Sequence, residues 1–331
     1  MTFDPASVPA DLHRWLADHL PGVAAATDVS WPQRTESRVW RLEVGTTAAY
    51  VKISPSPKSY ERETNAYRHA TAALNQAEAP QLIATDPVLR AILTTALVGS
   101  VVRDLPLAPA AEAQVHGFAG RLLRQWHGHA EPAPPQAGAS VRASIADHAS
   151  EALTCLEKLD RHLTAAQRVL VGEVARDLPE LAADLPLAYL HGDFSPRNWV
   201  WNAEEETLGL IDFEMADHGL PIQDMIWLSG AVWPTRPDLR ESFLAGYGRE
   251  LTANEHRALL LLTARLAVSY LSAGLAKNEQ VLIDRGRNAL NDLARPQTWP
   301  GVPGGPTSRL QGLPCPSSAR RRKPTAPNPP V

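Results

Sequence analysis

One short stretch constrains this chain more than any other. Between segments of helical periodicity lie three brief apolar runs separated by turns: Ala188-Tyr189-Leu190-His191, Trp199-Val200-Trp201 and Leu208-Gly209-Leu210-Ile211. They are too short for helices and read as strands. The densest polar constellation of the sequence sits on them: His191-Gly192-Asp193-Phe194-Ser195-Pro196-Arg197-Asn198, then Ile211-Asp212-Phe213-Glu214, then Asp224. Asp193 and Asn198 stand at opposite ends of one loop, so both side chains can face the same space, and Asp212 closes an apolar strand beside that loop. Asn198 and Asp212 are hard oxygen ligands of the kind that hold Mg²⁺, an ion that keeps few protein ligands and prefers carboxylate and phosphate oxygens. Asp193 is left to face an attacking hydroxyl. Phosphoryl transfer needs this division of labour, because metal charge and in-line positioning stabilise its loose transition state while a carboxylate orients the nucleophile.

The segments around this island set the fold class. Val39, Trp40, Leu42 and Val44, the turn Gly45-Thr46-Thr47, and Ala49 to Ile53 alternate as a β-hairpin ending in Tyr50-Val51-Lys52-Ile53. Residues 58–74 follow with Ala66, Tyr67, Ala70 and Leu74 at helical spacing, and the runs 81–84 and 91–97 read as further strands. A small sheet with one helix is therefore expected over residues ~30–95. The remainder reads as mainly helical. Val115, Phe118, Ala119, Leu122, Leu123 and Trp126 lie on one helix face; 144–160 and 165–183 behave similarly, and Thr252-Ala253-Asn254-Glu255 is a capping box opening a long apolar helix. The fold class is α+β.

Charge separates the body from the end of the chain. The formal net charge is −4, but residues 296–331 hold five basic residues and no acid, leaving 27 basic against 36 acidic residues in 1–295. An acidic body argues against a nucleic-acid partner and suits a cationic small molecule. Ten of the 29 prolines fall in 296–331 without apolar periodicity, so a disordered Pro-rich basic tail is expected there, with Arg320 to Lys323 as solvated charge. Two cysteines, Cys155 and Cys315, are too few for a disulfide framework. The first residues resemble no signal peptide, and the richest apolar run, 259–262, is soon broken by Arg265, so no membrane partner and a cytoplasmic setting are expected.

The two polar blocks resemble the aminoglycoside phosphotransferase family, the small-molecule branch of the protein-kinase-like fold, in which H-G-D-x-x-x-x-N is followed by I-D-[FW]-E. The likeness extends over residues ~30–275. Tyr50-Val51-Lys52-Ile53 resembles the strand with the phosphate-binding lysine, 60–67 the helix with its partner glutamate, 92–99 the interlobe hinge, 120–127 the helix ending in Leu-His, and Asp217-His218-Gly219-Leu220-Pro221…Asp224 the closing G-x-P…D element.

The resemblance implies a bilobal fold, with residues 1–95 as nucleotide-binding lobe and 96–295 as catalytic and acceptor-binding lobe. By it Lys52 would bind the phosphates of ATP (or GTP), held by Glu63 in preference to Glu61; Asp193 would be the catalytic base, and Asn198 and Asp212 would bind Mg²⁺. Thr94 and Ala96 would lie against the adenine, while His191 and Asp224 would brace the catalytic loop.

Two departures stand out. The phosphate-covering region Thr35-Glu36-Ser37-Arg38 has no glycine, leaving Ser37 as a candidate donor. Ser195 occupies the place where protein kinases carry a lysine, with Arg197 the nearest cation, which favours a small-molecule acceptor. A histidine metal site among His116, His127 and His129 has no paired carboxylate in reach by sequence. Glu214, Asp217, Asp238 and Glu241 are candidates to surround a cationic acceptor, and Trp227 and Trp233 to line its pocket. A hydroxylated antibiotic leads as acceptor; a metabolic alcohol such as choline or a sugar, and a catalytically silent nucleotide-binding protein, stay open beside it.

Overall fold

The computed structural model describes residues 8–31, 36–129 and 133–295. Thr35 and the Pro-rich stretch 296–331, with its basic cluster and Cys315, lie outside the described residues. In chain order, α1 (Ala10–His19) precedes β1 (Val23–Asp28), β2 (Arg38–Val44), β3 (Thr47–Ile53), α2 (Pro57–Ala73), β4 (Leu82–Asp86) and β5 (Ala91–Thr95). These strands form one antiparallel sheet in the order β1-β2-β3-β5-β4. The β2–β3 register pairs Val44 with Thr47, which leaves Gly45-Thr46 as a two-residue turn, and Gly45 takes the positive φ of 58° such turns need. The sheet begins at Val23, earlier than the alternation from residue 30 suggests.

Period-2 alternation gives the sheet two faces. Trp40, Leu42, Ala49, Val51, Ala91 and Leu93 are buried on one face against Leu12 and Leu16 of α1. Lys52, Ile92 and Thr94 fall on the other, where Ala66, Tyr67 and Ala70 of α2 pack. The N-terminus of α2 is fixed by Pro57 in its first turn and by Ser56, whose hydroxyl accepts from the Ser59 amide at 3.1 Å.

The rest of the chain is β6 (Ser100–Val101), α3 (Pro109–Gly128), α4 (Pro135–Leu159), α5 (Ala165–Ala183), β7 (Ala188–Leu190), β8 (Trp199–Asn202), β9 (Thr207–Leu210), β10 (Asp217–Gly219), α6 (Ile226–Ala231), α7 (Pro237–Tyr247), α8 (Ala253–Lys277) and α9 (Gln280–Leu293). The three short runs of the polar island are β7, β8 and β9. β7 pairs with β10, and β8 lies between β6 and β9. The capping box of α8 forms: the Thr252 hydroxyl accepts from the Glu255 amide at 3.2 Å and the Glu255 carboxylate from the Thr252 amide at 2.8 Å. By length and composition α8 could cross a membrane. Here Leu261, Leu262, Val268 and Leu271 place it in the buried core beside α4, α5 and α9.

Helix α3 carries the base of the site and is held by unusually close contact with α7. A Cβ on Gly120 would strike the Phe243 carbonyl and lie 2.8 Å from the Tyr247 amide nitrogen; one on Gly246 would strike the Gly117 carbonyl. Those neighbours are backbone and cannot rotate away. Gly120→Ala is expected to lower unfolding stability by ~1–3 kcal/mol, the scale of overpacking in a core, and urea denaturation reads it. An unchanged midpoint would mean that the two helices separate at no cost.

Candidate active site

The site is assembled where the sheet meets the β7–β10 segment. Lys52, on β3 opposite Val39 and Ile92, extends from the central part of the sheet. Its ammonium meets three carboxylates: Glu63 of α2 at 2.9 Å, Asp212 at 2.9 Å and Glu214 at 3.0 Å, the last two just beyond β9. Burial alone would push the Lys52 pKa down, but the three anions outweigh it and hold the pKa well above its ordinary value. Lys52 is therefore a fixed cation. Three carboxylates around one ammonium are two negative charges too many, and the excess falls on the most buried member: burial pushes Glu63 up to about 7, against the pull of Lys52.

Asp212 occupies the left-handed region at φ 63°, uncommon for a residue with a side chain. The chain around it is pinned from several directions. The Leu210 amide donates to the Glu78 carbonyl at 2.8 Å, and the Ile211 amide to the Asn198 carbonyl at 3.0 Å. Phe213 is fully buried, edge-on to Tyr67 of α2 at 5.1 Å and stacked with Trp126 of α3 at 5.0 Å. Packing against these rings over-determines the backbone and keeps Asp212 in its strained conformation.

The loop after β7 is braced from below. Asp224 is buried and its carboxylate accepts from the amides of His191 at 2.9 Å and Gly192 at 2.8 Å. Nε2 of His127, the end of α3, lies 3.0 Å from the same carboxylate, and Nδ1 lies 3.1 Å from the Tyr247 hydroxyl. This pairing fits a ring with its proton on Nε2, donating to Asp224 and accepting from Tyr247. His191, also buried, sits with Nε2 3.2 Å from the Ile211 carbonyl, tying the loop to the Asp212 strand. Gly192 has φ 81°, and a Cβ there would strike the Met215 carbonyl. Sequence reading gave His191 and Asp224 this bracing role. It reached His127 as the end of a helix and as a metal ligand without a carboxylate in reach, and the buried Asp224 is the carboxylate partner that local sequence does not reveal.

Above this brace, the Asn198 amide group donates to the Asp193 carbonyl at 2.8 Å and to its carboxylate at 3.0 Å. That use of the amide nitrogen leaves the Asn198 side-chain oxygen as the atom able to face a cation. Arg197 grips the Asp193 carboxylate through Nη2 at 2.6 and 2.5 Å and through Nε at 3.2 Å. Among the described residues no three His, Cys, Asp or Glu side chains are placed to hold a metal ion unaided. The Asn198 oxygen and the Asp212 carboxylate fit Mg²⁺ nonetheless, since such an ion completes its shell with phosphate oxygens and water.

The remaining expected residues are distributed unevenly. Ser37 is buried one residue before the Arg38–Ile53 pair, at the Lys52 end of the sheet. Thr94 is buried on β5 between Tyr50 and Leu82, its backbone within the ladder. The Ala96 amide already donates to the Ala48 carbonyl at 3.2 Å and is not available to a ligand. Glu214 binds Lys52 at 3.0 Å, and Asp238 is bound by Arg236 at 2.7 Å. Trp233 is buried against Phe243, and Trp227 lines a small apolar cavity beside α8 and α9. His116 is a buried core histidine, its pKa pushed down to about 4 by burial.

Beside Gly192 a cleft of about 480 Å³ opens between α2, α4 and the segment after Glu214. Its walls include Lys58 and Arg62, Ser144 and Asp147, and Met215 and Asp217. Arg62 and Asp217 pair with each other across it at 2.5 Å.

Residues 31–262 match the APH phosphotransferase enzyme family. The chain belongs to that family. It is a phosphotransferase with an alcohol group as acceptor, and its α+β fold is that of the aminoglycoside phosphotransferases. Among curated proteins no sequence matches it. Among solved structures it is similar to ADP-bound aminoglycoside phosphotransferase APH(2'')-Ib, with 16% identity, a TM-score of 0.60, and 87% of this chain and 98% of that one covered. It is likewise similar to the streptomycin–ATP ternary complex of APH(2'')-IIa, at 15% identity and TM-score 0.59 over 86% and 96% of the two chains. Macrolide 2'-phosphotransferase MphH from Brachybacterium faecium gives 18% identity and TM-score 0.56 over 85% and 97%.

Asp224→Asn, which turns an acceptor toward two amides into a donor, is expected to cost roughly 1–3 kcal/mol of stability. A thermal midpoint equal to the parent's would remove Asp224 from the brace. A second expectation concerns Glu63. Its folded pKa of about 7 lies above the ordinary 4.5, so the stability it supplies is present below about 4.5 and lost as pH rises to about 7. The parent should therefore lose stability relative to Glu63→Gln across that window, and parallel urea midpoints would exclude a shared proton there.

Proposed function

We propose that this enzyme transfers the γ-phosphoryl group of ATP (or GTP) to a hydroxyl of a small hydroxylated antibiotic, with Asp193 as base. The observation that carries the reading is the convergence of Lys52, Asp193, Asn198 and Asp212, from three separate segments, on one partly exposed site. Solved relatives bound to ATP, ADP or GDP support a nucleotide donor.

In this reading Lys52 holds the nucleotide phosphates and is itself held by Glu63 and Glu214. Ser37 stands at the same end of the sheet as a further hydroxyl donor, Thr94 closes the inner wall, and the chain near Ala96 borders the base. Asn198 and Asp212 would hold Mg²⁺, which when bound supplies positive charge to the phosphates. Asp193 takes the hydroxyl proton, and Asn198 and Arg197 fix the orientation of its carboxylate. The cleft beside Gly192 would receive the acceptor in a cytoplasmic setting.

The cleft lining favours one refinement. Lys58 and Arg62 balance Asp147 and Asp217, and the third carboxylate of the lining, Asp224, is already taken by two amides and His127, whereas a polycationic amino-sugar calls for an excess of open carboxylates. A neutral hydroxylated acceptor, antibiotic or metabolic sugar, suits it better than a polycation.

Mass spectrometry of reactions with Mg²⁺, ATP or GTP, and a panel of aminoglycosides, macrolides, choline and sugars tests the reading. A single phosphate added to one panel member by the parent is expected, with turnover lowered ~10²-fold or more in Asp193→Ala and nucleotide binding retained. Equal turnover in the variant would remove Asp193 from the mechanism, and failure to bind any nucleotide would overturn the donor assignment.

A further inference from the structure

We propose that Arg197 is a catalytic residue of this enzyme, holding Asp193 with one edge of its guanidinium and donating to the transferring phosphoryl group with Nη1. The inference rests on the nucleotide-donor reading and adds a contact that the two sequence blocks do not assign.

A guanidinium has five N–H donors in a fixed planar fork. Arg197 turns its Nε and Nη2 edge to Asp193, Nε reaching one carboxylate oxygen and Nη2 lying between both. The two on Nη1 have no hydrogen-bond partner among the described residues, and the side chain is 49% exposed, so that edge is open to a ligand. Asp193 must lie within hydrogen-bond reach of the acceptor hydroxyl, and the attacked phosphorus must lie next to that oxygen. A planar fork already seated on Asp193 therefore carries its free edge to the neighbourhood of the reacting group.

The surrounding charges leave this role open. Lys52 is enclosed by three carboxylates. Ser195, at the place of the protein-kinase lysine, is buried and uncharged. Arg62 is committed to Asp217. Among the described residues, Arg197 is the cation in direct contact with Asp193, placed to meet charge as it spreads over the phosphoryl oxygens.

The step balances without further reactants. The acceptor oxygen forms a bond to the γ phosphorus while the bond from that phosphorus to the β–γ bridging oxygen breaks; the acceptor proton passes to Asp193, and ADP leaves with the electron pair. Arg197 gives and takes no proton. It lowers the energy of the planar phosphoryl species by two charge-assisted hydrogen bonds available only when that species forms between the two oxygens.

The test needs no acceptor. Calorimetry measures binding of ADP with Mg²⁺, and of ADP with Mg²⁺ and aluminium fluoride, a planar stand-in for the transferring group, to the full-length parent, Arg197→Gln and Arg197→Lys. Affinity for ADP alone should stay within about twofold in all three, while the aluminium-fluoride complex should weaken about 10- to 100-fold in Arg197→Gln, the range for one lost hydrogen bond to a charged group. Arg197→Lys should recover part of that loss. Equal retention of the complex by Arg197→Gln would overturn the proposal, as would a parent that binds ADP but gains nothing from aluminium fluoride. A parent that binds no nucleotide would instead defeat the donor reading on which the proposal stands.

Discussion

The ammonium of Lys52 is the point on which the rest of the site depends. It stands on the sheet, yet two of its three anionic partners, Asp212 and Glu214, belong to the segment beyond β9, and the third comes from α2. One buried charge therefore sets the spacing of three elements distant in sequence. Removing the ammonium from such a cluster would be costly, because the carboxylates would then stay buried without a compensating charge. The shared charge also explains why Glu63 carries a raised pKa while Lys52 stays protonated. In the proposed reading, a nucleotide phosphate arriving at Lys52 must compete with carboxylates already in place.

A second constraint holds the catalytic loop at fixed height above α3. Asp224 is met by two amides and an imidazole, and it ties the loop to a helix that is itself locked to α7 through glycine contacts. Phe213 joins this brace to α2 through Tyr67 and to α3 through Trp126. Asp193 and Asp212 are thus positioned by rigid packing, while their own side chains remain partly exposed. That combination suits phosphoryl transfer, which asks the protein for placement and charge more than for covalent chemistry.

Arg197 gives the two constraints a chemical outlet. It belongs to the loop that Asp224 braces and faces the carboxylate that Asn198 orients, so both constraints fix the direction of its fork. Exposed ion pairs contribute little to stability, and a half-exposed arginine on the carboxylate proposed as base is better understood through its geometry than through its strength.

Much of this was legible in the sequence wherever a local rule operates. The β2–β3 hairpin, the capping box at Thr252 and the short strands of the polar island follow from periodicity and turn chemistry. The order H-G-D-x-x-x-x-N and I-D-F-E points to the family because each residue type has a separate task in one reaction. The same rules could have found α1, whose Leu12 and Leu16 lie one helical turn apart. Glu214 was not legible as a lysine partner, since its position after Asp212 suits an exposed carboxylate equally well; only the fold brings β3 beside it. Nor was it legible that sheet pairing with Ala48 takes the Ala96 N–H, since that bond joins segments far apart in the chain. The sequence by itself determined which chemistry the chain can perform, because that depends on the kinds of side chain and their order. Tertiary structure alone decided which charges neutralise one another and which donors stay free, because Coulomb attraction and hydrogen bonding depend on distances that arise only when segments far apart in the chain pack together.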